Sequence, residues 1–473
     1  MENSCDTLIT NASTIIPLVG KIDTNILIED GRIKALRKSI ENVQASRVVN
    51  ASKKYVLPGV IDPHVHYGVF TPIDSSAVTE SRSAAVGGIC TIMRMLRING
   101  TFRNISKHLE ASKEKHIVDY QIHASILNNL QLKEMQFVSK LGIHSFKIYM
   151  NLGSNMNRIL ADLEPGKYDL EEVEVNMSDQ LVFDIVQNSA KLKSLLLVHS
   201  EDHELCSKFT RDYSQVTDGR KKSLLQLWSN SRPTSSEVIS IRKVAQMAST
   251  CGTDLYFVHI GSSDALQAIV DCRRIYKNRS FWAETCPHYL THTTEYNDLK
   301  GKVVPPLRSK DDVSMIWNGI SKGLIDTVGT DHVANTLETK IIQDDLWKSR
   351  SGFPGLASML PVLLSEGVNK NRISLEKISE ICSLNPSKLF RMFPQKGTIQ
   401  TGSDADLAIV DLHKEQIVTP ELLQSYSDYT VYEGWRLRGW PVMTIVRGRA
   451  VMEDGYVDNQ AIGHGKFVIP RAF

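Results

Sequence analysis

The chain has 473 residues, and its 55 Lys and Arg against 53 Asp and Glu give a formal net charge of +2 at pH 7. Hydrophobic residues make up 42% and charged residues 23%, so the chain can build a sizeable core and is not intrinsically disordered. The balanced charge excludes a general nucleic-acid binder, which needs a basic excess to neutralise phosphates.

The cysteines and the N-terminal residues indicate a cytoplasmic protein. The seven cysteines are scattered and contain no Cys-x-x-Cys pair, which argues against a disulfide framework. No basic segment precedes an apolar run at the N-terminus, so we expect no signal peptide. No run of about 18 apolar residues is free of charge, so we expect no membrane span.

Residues 1–56 are predicted to form short strands. Asp30-Gly31 lies between two apolar alternations in TNILIEDGRIKAL, which is typical of a hairpin. Residues 395–473 return to this pattern in KGTIQTGSDADLAIVDL and PVMTIVRGRAVMEDGYV, with glycines at the turns. Because a few strands from one end alone bury too little surface, we expect both ends to build one small β-sandwich domain.

Residues 57–394 alternate apolar, β-branched runs with amphipathic segments, which indicates parallel strands covered by helices. The eight runs are VLPGVIDPHVH (56–66), ICTIMRML (89–96), YQIHASIL (120–127), SFKIYM (145–150), LLLVHSED (195–202), LYFVHIGS (255–262), SFWAETCPHYL (280–290) and IDTVGTDH (325–332). Eight units favour an α/β fold of the (β/α)8 TIM barrel type. The competing layout is a doubly wound open sheet, but no Gly-x-Gly-x-x-Gly follows the first strand in this sequence.

Ligand-type side chains occur at the C-terminal ends of these strands, where barrel enzymes carry their active sites. They are His64 and His66 on the first strand, Lys147 on the fourth, His199 on the fifth, His259 on the sixth and Asp331 on the eighth. The first two histidines are two residues apart, so they project from the same face of an extended strand. Imidazoles and a carboxylate that converge on one barrel mouth can bind divalent metals, with zinc the leading candidate.

Each of these residues also has a purely structural explanation. A single His near a strand end is more often a packing or loop residue, so only the number of strands that deliver a ligand favours a metal site. A buried Lys147 needs a partner, for example an ion pair with Asp331. Beside two metal cations a charged ammonium is excluded, so Lys147 can be a ligand only if it has lost its charge.

Motifs along nearly the whole chain resemble the amidohydrolase superfamily, in its cyclic amidase branch of hydantoinases, dihydropyrimidinases, allantoinases and dihydroorotases. In the barrel these motifs are PGVIDPHVH, SFKIYM, VHSED, VHIGSS, AETCPHYLT, VPPLR and GTDH. Towards the C-terminus they are NPSKLF, KGTIQTGSDADLAIVDL, YEGWRLRGWPVMTIVRGRAV and GHGKFVIPR. The resemblance implies a metal-dependent hydrolase that opens a cyclic amide or ureide ring, nearest to hydantoinases and dihydropyrimidinases.

The resemblance also implies a centre of two divalent metal ions. His64, His66 and Asp331 would hold the buried ion, and the other two histidines would hold the more exposed one. CO2 would carboxylate Lys147, and the resulting anion would bridge the two ions. A hydroxide shared by the ions would attack the amide carbonyl, and Asp331 would pass its proton to the leaving nitrogen.

Substrate recognition is where this sequence departs from its relatives. Tyr67 follows the HxH motif where dihydroorotases have an Arg, and the HVHxNEPG run of allantoinases is absent. Leu152 stands where hydantoinases and dihydropyrimidinases have a Tyr, and the nearest aromatic candidate for substrate contact is Tyr149. Arg94, near the end of the second strand, is a candidate anchor for an acidic substrate. The alternative for Arg94 is a salt bridge to a barrel carboxylate such as Glu284.

Two other functions stay open on the sequence alone. The same centre could hydrolyse another amide-like or ester substrate, as in dihydroorotases or allantoinases, because one fold hosts many chemistries. A non-catalytic scaffold is the second alternative, although such a protein has little reason to keep all six ligand positions. The resemblance further implies a homodimer or homotetramer, with a small cyclic amide as its substrate and no nucleic-acid or membrane partner.

Overall fold

The computed structural model describes residues 4–154, 157–215 and 223–471. Its strands are β1 (Ser4–Ile16), β2 (Gly20–Glu29), β3 (Arg32–Arg37), β4 (Gln44–Asn50), β5 (Tyr55–Pro58), β6 (Val60–His66), β7 (Ile89–Leu96), β8 (Asp119–Ser125), β9 (Ser145–Tyr149), β10 (Asn157–Leu160), β11 (Glu172–Val175), β12 (Leu195–His199), β13 (Leu255–Phe257), β14 (Phe281–Thr285), β15 (Thr327–Val328), β16 (His332–Val333), β17 (Leu407–Ile417), β18 (Arg436–Val446), β19 (Arg449–Glu453) and β20 (Tyr456–Val457). Its α-helices are α1 (Ile73–Val86), α2 (Ile105–Ser112), α3 (Asn129–Lys140), α4 (Asp179–Lys191), α5 (His203–Ser214), α6 (Leu224–Ser231), α7 (Thr234–Cys251), α8 (Ser263–Ile275), α9 (Lys310–Ser321), α10 (Leu337–Lys340), α11 (Met359–Val362), α12 (Leu375–Ser379), α13 (Asn385–Leu389) and α14 (Pro420–Leu423).

Parallel strands from the middle of the chain form a closed barrel. Their order in the sheet is β15-β14-β13-β12-β9-β8-β7-β6-β16. The short strands β15 and β16 belong to one segment, and β16 pairs with β6, so this segment closes the sheet. The predicted (β/α)8 barrel is therefore confirmed, and closure excludes the open doubly wound sheet.

The two faces of the barrel strands are buried against different parts of the protein. Every residue of β6 and β7 is buried. On β7, Met93 and Met95 pack inside the barrel against Leu197 and Tyr256. Ile92 and the other residues of the same parity pack outward, in the core shared with the helices. This alternation gives strands that are apolar on both faces, as in other helix-covered parallel sheets.

Strands from both ends of the chain form the second, β-rich domain. The order is β20-β19-β18-β17-β5-β1-β2-β3, and β4 pairs with β1. Pairing of β17 with β5 joins the C-terminal strands to the N-terminal ones. The predicted hairpin at Asp30-Gly31 is confirmed, with φ values of 51° and 74° that suit a tight two-residue turn. Isoleucines from both halves, including Ile9, Ile26 and Ile409, share one core.

The residues after β20 leave this domain and lie along the barrel. The backbone of Tyr120 at the start of β8 donates to the carbonyl of Lys466 at 3.0 Å and accepts from the amide of Val468 at 2.8 Å. Val468 packs with Phe390 and Met392 against side chains from the barrel interior. The tail thus covers the end of the barrel where the strands begin. The domain boundaries at 56/57 and 394/395 stay a prediction.

Across the described ranges, no helix combines the length and the apolar character that a membrane crossing requires.

Candidate active site

The six predicted ligand positions line one cavity of about 330 Å³ at the C-terminal end of the barrel. They are His64 and His66 in β6, Lys147 in β9, His199 at the end of β12, His259 after β13, and Asp331 between β15 and β16. All six side chains are buried. The parallel strands bring these residues together from five segments of the chain, as the strand-end argument predicted.

Three ligand atoms in this cavity are almost equidistant. His64 Nε2 lies 3.2 Å from His66 Nε2, and each of these nitrogens lies 3.2 Å from Asp331 Oδ1. Two atoms bound at about 2.0 Å to one ion with tetrahedral geometry are about 3.3 Å apart. Burial lowers the pKa of His64 well below its ordinary value, so the ring is neutral and has a free electron pair. The three groups therefore fit a divalent metal ion.

His199 and His259 lie beside this cluster. Their ring centroids are 4.6 Å apart, and the centroid of His259 is 5.5 Å from that of His64. His259 and Asp331 both have positive φ, 45° and 49°. Such backbone conformations are costly for residues with a Cβ and cluster at functional sites. Here both positive φ values belong to predicted metal ligands that lie just after the ends of β13 and β15.

Glu284 orients the first histidine. Its Oε1 lies 2.7 Å from His64 Nδ1; with the carboxylate charged, Nδ1 donates this hydrogen bond and Nε2 keeps the free electron pair. The same carboxylate accepts from the hydroxyl of Tyr256 at 2.7 Å and from the backbone amide of His259 at 3.0 Å. On the sequence alone, Glu284 is predicted only as a possible partner of Arg94. Its position on β14, whose inner face points into the barrel, was the available signal.

Glu201 plays the same part for His199. His199 Nε2 lies 2.7 Å from Glu201 Oε2, and Arg232 Nη1 donates to that oxygen at 3.3 Å. Burial would raise the pKa of Glu201, but Arg232 and His199 hold it at about 2, so the carboxylate is charged. The free nitrogen of His199 is therefore Nδ1. The sequence analysis missed this residue, although it stands two positions after the histidine in VHSED.

The side-chain amine of Lys147 makes neither an ion pair nor a hydrogen bond with the residues that the structure describes. The expected alternative, a salt bridge to Asp331, is therefore absent from this part of the chain. Burial lowers the pKa of Lys147 to about 7, against the opposing effect of Glu284 and Asp331. A large fraction of the amine is thus uncharged at neutral pH, which is the property that a lysine beside metal ions needs.

Arg94 lies outside the cavity lining. It is on the face of β7 that points towards the helices, and its guanidinium forms a short ion pair with the buried Asp162 and stacks on Tyr67. Arg94 thus forms an ion pair with a carboxylate, as in the alternative considered for it, but the partner is Asp162 rather than Glu284. A role in substrate binding would require Arg94 to leave Asp162. The cavity instead contains Arg97, three residues later, which the sequence analysis missed.

Tyr149 and Leu152 both line the cavity. The hydroxyl of Tyr149 lies 3.2 Å from Ser125 Oγ, so the residue offers mainly its ring face. Much of the remaining wall is apolar and comes from Val69, Phe70, Ile159, Leu160, Val303, Val304 and Val333. A ring-shaped ligand with few polar groups would suit such a wall.

A second group of acidic residues has the spacing of a metal site but already holds a cation. Asp119, Asp404 and Asp406 are buried close together. The ammonium of Lys396 lies 2.6 Å from Asp119, 2.6 Å from Asp406 and 3.2 Å from Asp404. Because this ammonium occupies the position that an ion would take, the group is an ion-pair cluster.

Comparison with known proteins agrees with this geometry. The model of the amidohydrolase family matches residues 277–451. The L-hydantoinase of Paenarthrobacter aurescens is 32% identical over 472 residues, and the D-phenylhydantoinase of Escherichia coli O1:K1 / APEC is 29% identical over 473 residues, each covering 96% of both chains. The solved structure of L-hydantoinase (dihydropyrimidinase) from Arthrobacter aurescens has a TM-score of 0.87 at 30% identity and covers 98% of this chain and 100% of that one. A dihydropyrimidinase from Brevibacillus agri NCHU1002 has a TM-score of 0.85 at 26% identity, with 99% of each chain covered.

The barrel, the terminal β-domain and the ligand cluster at the barrel mouth together define the class of metal-dependent hydrolases. Within it, the chain belongs to the amidohydrolase superfamily, in the cyclic amidase branch of the hydantoinases and dihydropyrimidinases. The resemblance in the motifs is thus confirmed, and membership implies a divalent metal site.

Proposed function

We propose that this protein is a metal-dependent hydrolase that opens a cyclic amide or ureide ring of the hydantoin or dihydropyrimidine type. The observation that carries the proposal is the set of three ligand atoms, from His64, His66 and Asp331, at 3.2 Å from one another. They line the cavity of a chain that belongs to the cyclic amidase branch.

The six ligand positions would divide between two ions, with zinc favoured by the nitrogen and oxygen donors. His64, His66 and Asp331 would hold one ion. The Nδ1 of His199 and a ring nitrogen of His259 would hold the other. Carboxylation of Lys147 by CO2 would place an anion between them. Two observations support this modification. The amine has no partner among the described residues, and its pKa of about 7 means that its uncharged form, which can attack CO2, is well populated at neutral pH.

When bound, the ions would polarise the amide carbonyl and lower the pKa of the attacking water. Asp331 would accept the proton of this water on the carboxylate oxygen that is not a ligand, and would then donate it to the ring nitrogen as the C–N bond breaks. The ring faces of Tyr149 and the apolar wall would hold the substrate and limit the entry of bulk water. The product from a cyclic ureide is an N-carbamoyl acid.

The test is metal content together with the mass of Lys147. After expression with added zinc, we expect about two ions per chain, the extra mass of one CO2 on the peptide that contains Lys147, and hydrolysis of hydantoin or dihydrouracil. Lys147→Met should lower the metal content and abolish hydrolysis, whereas Lys140→Met on the outer helix α3 should change neither. A folded protein that takes up no ion on dialysis and carries unmodified Lys147 would instead indicate a scaffold.

We also propose that the protein is a cytoplasmic homodimer or homotetramer. The free state of all seven cysteines supports a reducing compartment. The family resemblance supports the oligomer. Light scattering on the purified protein distinguishes both assemblies from a monomer.

A further inference from the structure

The cavity contains an arginine whose guanidinium donates no hydrogen bond to an anion among the described residues. Arg97 directly follows β7 and lines the cavity together with the six ligand positions. Its side chain is only 12% exposed, and its Nε is buried without a hydrogen-bond partner. In the described part of the chain, no carboxylate or carbonyl accepts a hydrogen bond from its guanidinium. Arginine stays charged in proteins, so this is a nearly buried charge that lacks a directly bonded counter-charge among the described residues.

Among the described residues, the only carboxylate within 4.0 Å of the Arg97 guanidinium already pairs with another arginine. Asp162 forms its short ion pair with Arg94. The Nε of Arg97 is 3.8 Å from Asp162 Oδ1, beyond hydrogen-bond distance. The backbone amide of Arg97, at 3.3 Å, donates to this oxygen instead. One carboxylate thus serves two guanidiniums, and Arg97 is the one left without a direct bond.

The other two arginines of the cavity differ in their partners. Arg158 is exposed and lies within 3.4 Å of Glu172 and 3.2 Å of Glu174, so its charge is balanced. Arg350 donates to the carbonyl of Thr339 at 2.5 Å and lies over the ring of Phe70 at 5.9 Å. It forms no ion pair with the residues that are described. Arg97, which shares its nearest carboxylate with Arg94, and Arg350 therefore add positive charge to the cavity.

We propose that the substrate ring carries a carboxylate, and that Arg97 binds it. This inference rests on the proposed function, because it names the class of cyclic amide that the same cavity takes. A guanidinium matches a carboxylate with two parallel hydrogen bonds, which is strong and specific where water is largely excluded. The apolar wall would hold the ring, and Arg350 would add to the positive potential that attracts the acid.

The probes that test the proposal are hydantoin-5-acetic acid and its primary amide, which have nearly the same shape but differ in charge. For the metal-loaded wild type we expect kcat/KM to be at least about tenfold higher for the acid. Arg97→Gln should lower kcat/KM about 30-fold or more for the acid and less than about threefold for the amide. Arg158→Gln is the matched control, since it lines the same cavity with a balanced charge, and it should leave the ratio unchanged.

A binding measurement separates this inference from the proposed function. In calorimetry on wild type at low salt, the acid should bind more tightly than the amide, and Arg97→Gln should remove the difference. Arg97→Lys, which keeps the charge but not the paired geometry, should retain part of it, and circular dichroism confirms that each variant is folded. If neither probe is hydrolysed but the acid binds through Arg97, the proposed function fails and the anion site stands. If the amide is bound and hydrolysed as well as the acid, or if Arg97→Gln weakens both equally, the inference is overturned.

Discussion

Glu284 illustrates how single residues prepare this site. One buried carboxylate accepts hydrogen bonds from the imidazole of His64, the hydroxyl of Tyr256 and the backbone amide of His259. Two ligands from distant strands are therefore positioned by the same group. Burial raises the pKa of this carboxyl to about 8, and a cation bound in the cavity would favour its charged form.

We expect Glu284→Gln to weaken metal binding by about 10- to 100-fold, because the amide no longer fixes the tautomer of His64. Competition with a chelator of known affinity measures this change. Tyr256→Phe is the control, since it removes one donor to the carboxylate but leaves the bond to His64. Metal affinity that is the same in Glu284→Gln and in wild type would show that the carboxylate does not position the ligand.

The two arginines of β7 and its end show what residue patterns can and cannot decide. Strand alternation places Arg94 on the face opposite Met93 and Met95, and those methionines fill the barrel interior. The two-residue alternation along β7 can be recognised in the sequence, and it predicts that Arg94 points towards the helices. The role of Arg97 was not readable, because the residue lies after the strand, where no period applies.

Two buried lysines form hydrogen bonds with the backbone of the loop that brings Arg350 to the cavity. Lys302 donates to the carbonyls of Leu346 at 2.7 Å and Ser349 at 2.5 Å, and Lys340 donates to that of Gly352 at 2.8 Å. Backbone carbonyls are their only acceptors within the described ranges. These bonds hold residues 346–352 as one wall of the site.

The pKa of Lys302 predicts how stability depends on pH. Burial, and then the charge of Arg232, lower it from 10.5 to about 7. Between these values the unfolded chain binds a proton that the folded chain does not, so the free energy of unfolding rises with pH. We expect the rise to be about 1 kcal/mol per pH unit greater in wild type than in Lys302→Met.

Urea unfolding between about pH 7 and about pH 9 measures these slopes. Lys348 lies in the same loop but is exposed, and its ammonium donates only to Gln343 among described residues, so Lys348→Met should keep the wild-type slope. Equal slopes in wild type and Lys302→Met would mean that the folded lysine keeps its proton.

Lys396 links the two domains at the end of the barrel opposite the site. Its ammonium bonds to Asp119 at the start of β8 and to Asp406 next to β17 of the β-domain. Arg447 forms a further short ion pair with Asp119. None of the six ligand positions belongs to this cluster, so its charges stabilise the domain junction without contact with the site.

We therefore expect Lys396→Met to lower the free energy of unfolding by about 3–5 kcal/mol, because it leaves buried carboxylates without a counter-charge. Lys414→Met removes a partly exposed pair with Asp454 and should cost less than about 1 kcal/mol. Urea unfolding gives both values. The metal content of folded Lys396→Met should equal that of wild type, and a loss of metal would contradict the independence of the two ends.

The barrel, the domain built from both chain ends and the six residues at the barrel mouth could all be predicted from the amino-acid sequence. These follow from local patterns, since strand period, helix alternation and position at a strand end are properties of short segments. Three pairings became visible only in the folded chain: Glu284 positions His64, Glu201 leaves Nδ1 of its histidine free, and Arg97 has no directly bonded counter-charge among the described residues. Such pairings depend on distances between residues far apart in the chain and on side-chain directions in loops, and no local period encodes either.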